Sequence, residues 1–284
     1  MELKHIAKRD GRLSSFLKEE MKMSAGLVNR LKWQQKIFVG GCPQHNDFRV
    51  KTGDVITALL DEEEPNYPPQ EGNISILYED DHLMAVDKPA GMLIHPSHSK
   101  NDGTLANYVL GYYQRTGQKC AFHPVTRLDR DTFGIVLLTK HSHAHALMQE
   151  AQLQKTYHAL VRGGPAEDGG RIDAPIARKP LPSLLREVRP DGKESITEFR
   201  VLERCDGITK LALTPVTGRT HQLRVHCAYM GFPILGDPQY GAGAEDFGLP
   251  HQLLCAKRLE FTHPITGEKL ILESKMDVNS DLSN

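Results

Sequence analysis

The segment His123-Pro124-Val125-Thr126-Arg127-Leu128-Asp129-Arg130-Asp131-Thr132 runs through Phe133 and Gly134 into Ile135-Val136-Leu137-Leu138-Thr139. The second part is a short, continuous apolar run, the pattern of a strand covered on both faces. The first part is polar and carries a carboxylate between two arginines, on a loop that a buried strand holds rigid. Working outward, Ser142 is placed to cap a helix whose apolar stripe is Ala144, Leu147, Met148 and Ala151. Upstream, 74–78 and 83–86 read as strands, the second closed by Lys88-Pro89. Downstream, strands are expected over 156–161, 197–202 and 210–214, and a helix from about Thr220 to Met230 ended by Gly231. Strands do not alternate regularly with helices, so a mixed α+β body is expected rather than a doubly wound parallel sheet.

The net charge of −1 conceals three regions. Residues 1–60 hold 11 Lys/Arg against 6 Asp/Glu, residues 61–72 (DEEEPNYPPQEG) hold 5 acids and no bases, and 73–284 hold 24 bases against 25 acids. The acidic, Pro-containing stretch 61–72 reads as an exposed linker between a small head at 1–60 and a body at 73–284. In the head, a helical pattern at Leu13, Phe16 and Leu17 is followed by a second near Leu27, Val28 and Leu31, with Ser24 as its cap. The strand Ile37-Phe38-Val39, a Gly40-Gly41 turn and a strand near Val55 complete a helix-helix-sheet module. Its excess of cations suits a phosphate backbone. No apolar run is long enough to span a bilayer, and the N-terminus lacks the apolar core of a signal peptide. Five scattered cysteines without C-x-x-C spacing fit reduced thiols, so a cytoplasmic protein without membrane attachment is expected, as a monomer.

Two further stretches carry chemistry. Lys155-Thr156-Tyr157-His158-Ala159-Leu160-Val161 puts Tyr157 on one strand face with Ala159 and Val161. Gly218-Arg219-Thr220-His221-Gln222-Leu223-Arg224-Val225-His226 opens a helix whose buried stripe is Leu223, Cys227 and Met230. His221, Arg224 and Ala228 share the adjacent face, from which Arg224 can reach a carboxylate. Taken singly, such residues are more often a core tyrosine and a surface cation.

Together, TRLDRDT, KTYHALV and GRTHQLRVH in this order resemble the signature stretches of the RluA-type pseudouridine synthases. ILYEDDHLMAVDKPAGMLIHP, PILGDPQYG and LEFTHPITGE extend the resemblance over most of 74–273. The head is similar to the alpha-L RNA-binding module often attached to these enzymes. The resemblance implies a largely antiparallel central sheet flanked by helices. It also implies isomerisation of chosen uridines in a structured RNA, ribosomal by preference or transfer RNA, without a cofactor. Asp129 would be the catalytic carboxylate, Tyr157 the active-site tyrosine and Arg224 the partner of the aspartate. Arg127, Arg130, Arg219 and His221, with Arg12, Lys18, Arg30 and Lys32 of the head, are the candidate RNA contacts. Such chemistry needs a carboxylate kept ionised by an arginine, a positioned group for the C5 proton, and a base flipped from its stack. Phe133 stands where the family usually has Ser, Cys255 where His is common, Ala25 where Arg is frequent and Gly40 where Asn is.

Other readings are weaker. Asp129 and Asp131 could form the carboxylate pair of a nucleoside or glycoside hydrolase, and the body could be an RNA-binding protein without catalysis. His141, His143 and His145 invite a metal, but His143 and His145 fall about 200° apart around a helix. Solvated histidines and no metal are expected there. The sequence has no G-x-x-x-x-G-K-S/T loop, so no nucleotide cofactor is implied.

Overall fold

The computed structural model describes residues 1–97, 101–241 and 248–281. The apolar run forms the strand Phe133–Thr139, and all seven of its residues are buried. It pairs antiparallel with Leu83–Lys88, which pairs in turn with Ser75–Glu79. On its other side, Phe133 and Gly134 pair parallel with Cys255 and Ala256 of the strand Leu254–Thr262. From there the sheet continues through Gln154–Arg162, Ile208–Pro215, Ile196–Cys205 and Gly169–Asp173, all antiparallel. With Lys269–Glu273 and a short His123–Pro124 pairing it has 10 strands. The mixed, largely antiparallel α+β body is thus as expected. Gly134 is required at the parallel junction: its φ is +107°, and a Cβ there would collide with the Ala256 backbone.

Helices cover the sheet where apolar side chains need burial. Leu105–Arg115, absent from the sequence reading, lays Leu105, Val109, Leu110 and Tyr113 over Met84, Val86, Val136 and Leu138. A reciprocal capping box between Thr104 and Asn107 starts it. The opposite face packs Leu83, Ala85, Ile135 and Leu137 against Met148, Leu259 and Phe261. The helix Gln222–Tyr229 buries Leu223 and Cys227 against Ala159, Leu211 and Leu213. Met230, expected in that stripe, is 45% exposed because the helix ends at Tyr229 and Met230 is its C-cap, followed by Gly231 at φ +82°. The strand Leu254–Thr262 was also not anticipated. Its Lys257, Arg258 and Glu260 break the apolar run, yet a central position in the sheet overrides local pattern.

The head has its own core of Leu3, Leu13, Phe16, Leu17, Val28, Leu31, Ile37 and Ile56, among others. Ser24 caps the helix Ala25–Trp33 as expected, accepting from the Leu27 N–H at 3.2 Å. A strand at Glu2–Ile6, too short and alternating to be read beforehand, pairs with Val55–Leu59. The acidic 61–72 stretch is more than a free tether. Glu63 accepts from His123 and from the Ser142 N–H, Asn66 exchanges hydrogen bonds with the Phe122 backbone, and Gln70 accepts from the Gly103 N–H. Ile265 of the body packs against the core of the head.

The histidine-rich stretch corrects two expectations. His141, not Ser142, caps the helix Ser142–Glu150, its Nδ1 accepting from the Ala144 N–H at 3.1 Å. His141 and His143 are buried, not solvated. Because Nδ1 of His141 is an acceptor, its Nε2 carries the proton and donates to Nδ1 of His82 at 3.1 Å. Among the described residues no group of three His, Cys, Asp or Glu is arranged to hold a metal ion. Burial pushes the imidazole of His141 down to about 3, with the neighbouring His82 and His143 adding to the shift. It also lowers His82, His143 and His145.

All four pKa values are depressed on folding, so the unfolded chain binds protons first as the pH falls. The stability they contribute is present above the ordinary imidazole value of 6.5 and is lost progressively toward about 3. Melting temperature should therefore fall across this window. In His141→Asn, where the amide can still cap the helix, the slope should be shallower. Superimposable pH profiles for the two proteins would remove the histidines from the acid response.

Candidate active site

Asp129 lies on the connection between His123–Pro124 and the strand Phe133–Thr139, and three side chains and a backbone hydrogen bond fix that connection. Thr126 accepts from the Leu137 N–H at 2.9 Å, and the Thr132 N–H donates to the Asp129 carbonyl at 3.2 Å. Gln252 donates to the Thr132 hydroxyl at 2.7 Å. Lys88, fully buried at the end of its strand, donates to the carbonyls of Pro89, Met92 and Arg130, each at 2.9 Å. Burial lowers its pKa to about 8, while Asp131 and Asp129 pull the other way. A buried ammonium with three carbonyl acceptors ties two loops together and satisfies its own desolvation.

Arg224, in the first turn of Gln222–Tyr229, is 4% exposed and reaches this loop. Its Nη1 donates to Oδ2 of Asp129 at 3.1 Å. The other edge of the guanidinium is held by Asp237, which accepts from Nε at 2.7 Å and Nη2 at 2.8 Å, and Gln239 accepts from Nη2 at 2.9 Å. The ring of Tyr240 lies 5.0 Å from the guanidinium carbon. Burial works against the charge, but pairing with Asp237 and Asp129 outweighs it and raises the pKa of Arg224 further. Bidentate capture by one aspartate, with Gln239 on the second Nη2 hydrogen, leaves Nη1 to meet the other. Oδ1 of Asp129 has no such contact among the described residues.

Tyr157 pairs with Leu213 and Ala256 at the sheet centre, beside an irregularity in register between Thr156 and Tyr157. It lines a cavity of about 490 Å³ together with Asp129, Arg224, Arg127, Arg219 and His221. Burial raises the pKa of its hydroxyl, and the negative charge of Asp129 raises it further. In the resting protein Tyr157 is therefore a neutral phenol.

The fold thus gathers most of the residues singled out from sequence. Arg127 is exposed at the cavity rim, and Arg219 spends its Nε on the Glu194 carbonyl at 3.0 Å. Arg130 does not line this cavity but a smaller adjacent one with Asp129, His221 and Arg224, and its fork is engaged by Asp131 through two hydrogen bonds of 2.9 Å. Arg12, Lys18, Arg30 and Lys32 are exposed on the head, where Arg30 meets Asp61 at 3.3 Å. Sequence reasoning missed Lys88, Asp237, Gln239 and Tyr240. A lysine at the end of a strand that opens with the apolar run Leu83–Val86, just before Pro89, was the available signal for the first. The Asp in PILGDPQYG had none until its partner was placed. Phe133 is buried beside Leu235 and Leu249, below the loop, while burial pushes the Cys255 thiol up to about 12.

Comparison with known proteins gives the family. The family described as RNA pseudouridylate synthase matches residues 82–229. Among curated proteins, the uncharacterized RNA pseudouridine synthase YjbO of Bacillus subtilis (strain 168) is 38% identical over 86% of this chain and 90% of its own length. The chain belongs to the RluA-type RNA pseudouridine synthases. Ribosomal large subunit pseudouridine synthase D of Xanthomonas campestris pv. campestris is 38% identical to this synthase, over 71% of the chain and 66% of the relative. Among solved structures, human RNA Pseudouridylate Synthase Domain Containing 1 superposes with a TM-score of 0.60 at 28% identity. That match covers 74% of the synthase and 86% of the human chain. The synthase converts uridine to pseudouridine in RNA, and RNA is its partner. No helix among the described residues is long and apolar enough to cross a membrane.

Proposed function

We propose that this synthase isomerises uridines of ribosomal RNA, with Asp129 attacking the sugar or promoting a glycal intermediate, Arg224 holding it ionised and Tyr157 handling the C5 proton. The observation that carries the reading is the Arg224–Asp129 contact of 3.1 Å at the wall of the cavity that Tyr157 also lines. With Oδ2 engaged, Oδ1 is the oxygen left to act. Covalent attachment of the sugar would remove the charge of Asp129, one of the causes that keep Tyr157 protonated, so loss of the phenol proton, which must precede uptake of the C5 proton, would become easier as the reaction advances. Ribosomal RNA is favoured because relatives at 38% and 39% identity carry the name ribosomal large subunit pseudouridine synthase D. Mapping pseudouridines in total RNA from a deletion strain tests this. A site lost from large-subunit ribosomal RNA should return with the wild-type gene and not with Asp129→Asn. Loss confined to transfer RNA would overturn the ribosomal assignment.

Tyr157→Phe should bind RNA normally and break the glycosidic bond, yet form pseudouridine at least about 100-fold more slowly, the usual scale for removing a proton-transfer group. Wild-type turnover would remove the hydroxyl from the mechanism.

The head and the 176–193 hairpin complete the RNA surface in this reading. Arg12 sits directly across the strand pair from Arg49, and Arg178 across from Arg186. Like charges placed opposite each other cost stability, a cost that a bound phosphate relieves. Replacing Arg12 and Lys32 by Ala should weaken RNA binding. It should also flatten the slope of log affinity against log salt by roughly 0.7 to 0.9 for each phosphate no longer neutralised. An unchanged slope in a salt titration would mean the head does not grip RNA.

A further inference from the structure

Behind Asp129 lies a chain of polar contacts that the proposed chemistry does not use. Arg186, on the hairpin strand Arg186–Val188, donates its backbone N–H to the Tyr240 hydroxyl oxygen at 2.8 Å. The same hydroxyl lies 2.8 Å from Nδ1 of His221. The opposite ring nitrogen of His221, Nε2, stands 3.8 Å from Oδ2 of Asp129, on the cavity wall. The oxygen of Tyr240 already accepts the Arg186 N–H, so its own proton needs an acceptor. Nδ1 of His221 is the acceptor in reach. Nδ1 is then unprotonated, and a neutral imidazole must carry its proton on Nε2, facing Asp129.

The backbone supports the same reading. His221 has φ of +57°, one of four non-glycine residues in the left-handed region among the described residues. A β-carbon makes that conformation costly, by roughly 1 kcal/mol or more, and it persists where the surroundings fix it. Here the ring is fixed by Tyr240 through the hydrogen bond and by an edge-on contact with centroids 5.7 Å apart. Burial, ahead of its neighbouring charges, lowers the pKa of His221, which suits a neutral donor.

We propose that Tyr240 is a positioning residue that locks His221 in the Nε2–H tautomer, linking the seating of the 176–193 hairpin to the orientation of Asp129. The assignment of Asp129 as the reacting carboxylate underlies the second half of this statement and not the first. When the hairpin is displaced, the Arg186 N–H leaves Tyr240, the hydroxyl is free to rotate, and His221 no longer presents a fixed donor to Oδ2. An RNA that engages the hairpin thereby steadies the carboxylate that acts on it.

Imidazole nitrogen NMR on the full-length protein without RNA tests the tautomer directly. The wild type should show an unprotonated Nδ1 and protonated Nε2 for His221, and Tyr240→Phe should give a mixture of tautomers. Phe keeps the ring over Arg224, so the change isolates the hydroxyl. A wild-type Nδ1–H tautomer, or an unchanged Nε2–H tautomer in Tyr240→Phe, would overturn the proposal. A double-mutant cycle tests the route to Asp129. Tyr240→Phe should lower kcat by about tenfold, as for removal of one hydrogen bond, with KM nearly unchanged. His221→Leu should cost more, and adding Tyr240→Phe to it should cost nothing further. Multiplying losses would show that Tyr240 acts independently of His221. Inactivity of the wild type on every RNA would refute the isomerase reading, with the NMR result left to decide the tautomer lock.

Discussion

Asp129→Asn should lower pseudouridine formation by about 10⁴-fold or more, on the scale of removing a group that reacts covalently or carries the charge of the transition state. Asn keeps the shape of the side chain and can still accept the Arg224 N–H, so the loop should stay in place. The anchoring contacts of that loop come from Lys88, Thr126 and Gln252, none of which touches the Asp129 carboxylate. The melting temperature should therefore change little. Measured turnover within 100-fold of wild type on a responsive RNA would reject Asp129 as the reacting group.

Arg224→Met should be as inactive, and it should also be unstable, which separates it from Asp129→Asn. Asp237 is 1% exposed and takes two of the guanidinium's hydrogen bonds, so losing Arg224 leaves a buried carboxylate without its counter-charge. Breaking a buried pair from one side costs about 3–5 kcal/mol. Arg219→Met removes only a hydrogen bond to the Glu194 carbonyl and should be far milder in both respects. Denaturant unfolding of the two variants, read beside single-turnover rates, checks the contrast. Equal stability losses would mean that Asp237 finds another partner.

What could be read from sequence follows the range over which each residue's determinants act. The strand around Val136 was legible because seven adjacent residues are buried, and the Ser24 cap because it serves an N–H three residues away. Asp129 and Arg224 stood out by the chemistry of their neighbours and by resemblance, and their contact spans 95 residues. Asp237 was invisible for the converse reason. Its partner is an arginine on a helix, and nothing local marks it. The burial of His141 and His143 was equally hidden, because a polar residue at a helix start predicts exposure. Here His143 and Ala144 of the first turn are buried while Ser142 is exposed, and His82 and the Ala144 N–H satisfy the His141 ring.

The parallel pairing of Phe133 and Gly134 with Cys255 and Ala256 is only two residues long, whereas its flanking antiparallel ladders run to six. It is a seam between two plates. Asp129 is carried by the plate that contains Leu83–Lys88, while Tyr157 and Arg224 belong to the other. The proposed catalytic set is therefore a mating surface, complete only when the plates are in register. A Cβ at this point, as in Gly134→Ala, would strike the Ala256 backbone and strain its own strand at φ +107°, so the damage falls on the seam itself. Alignment across two residue pairs is then a condition for the proposed chemistry, beside the integrity of each element.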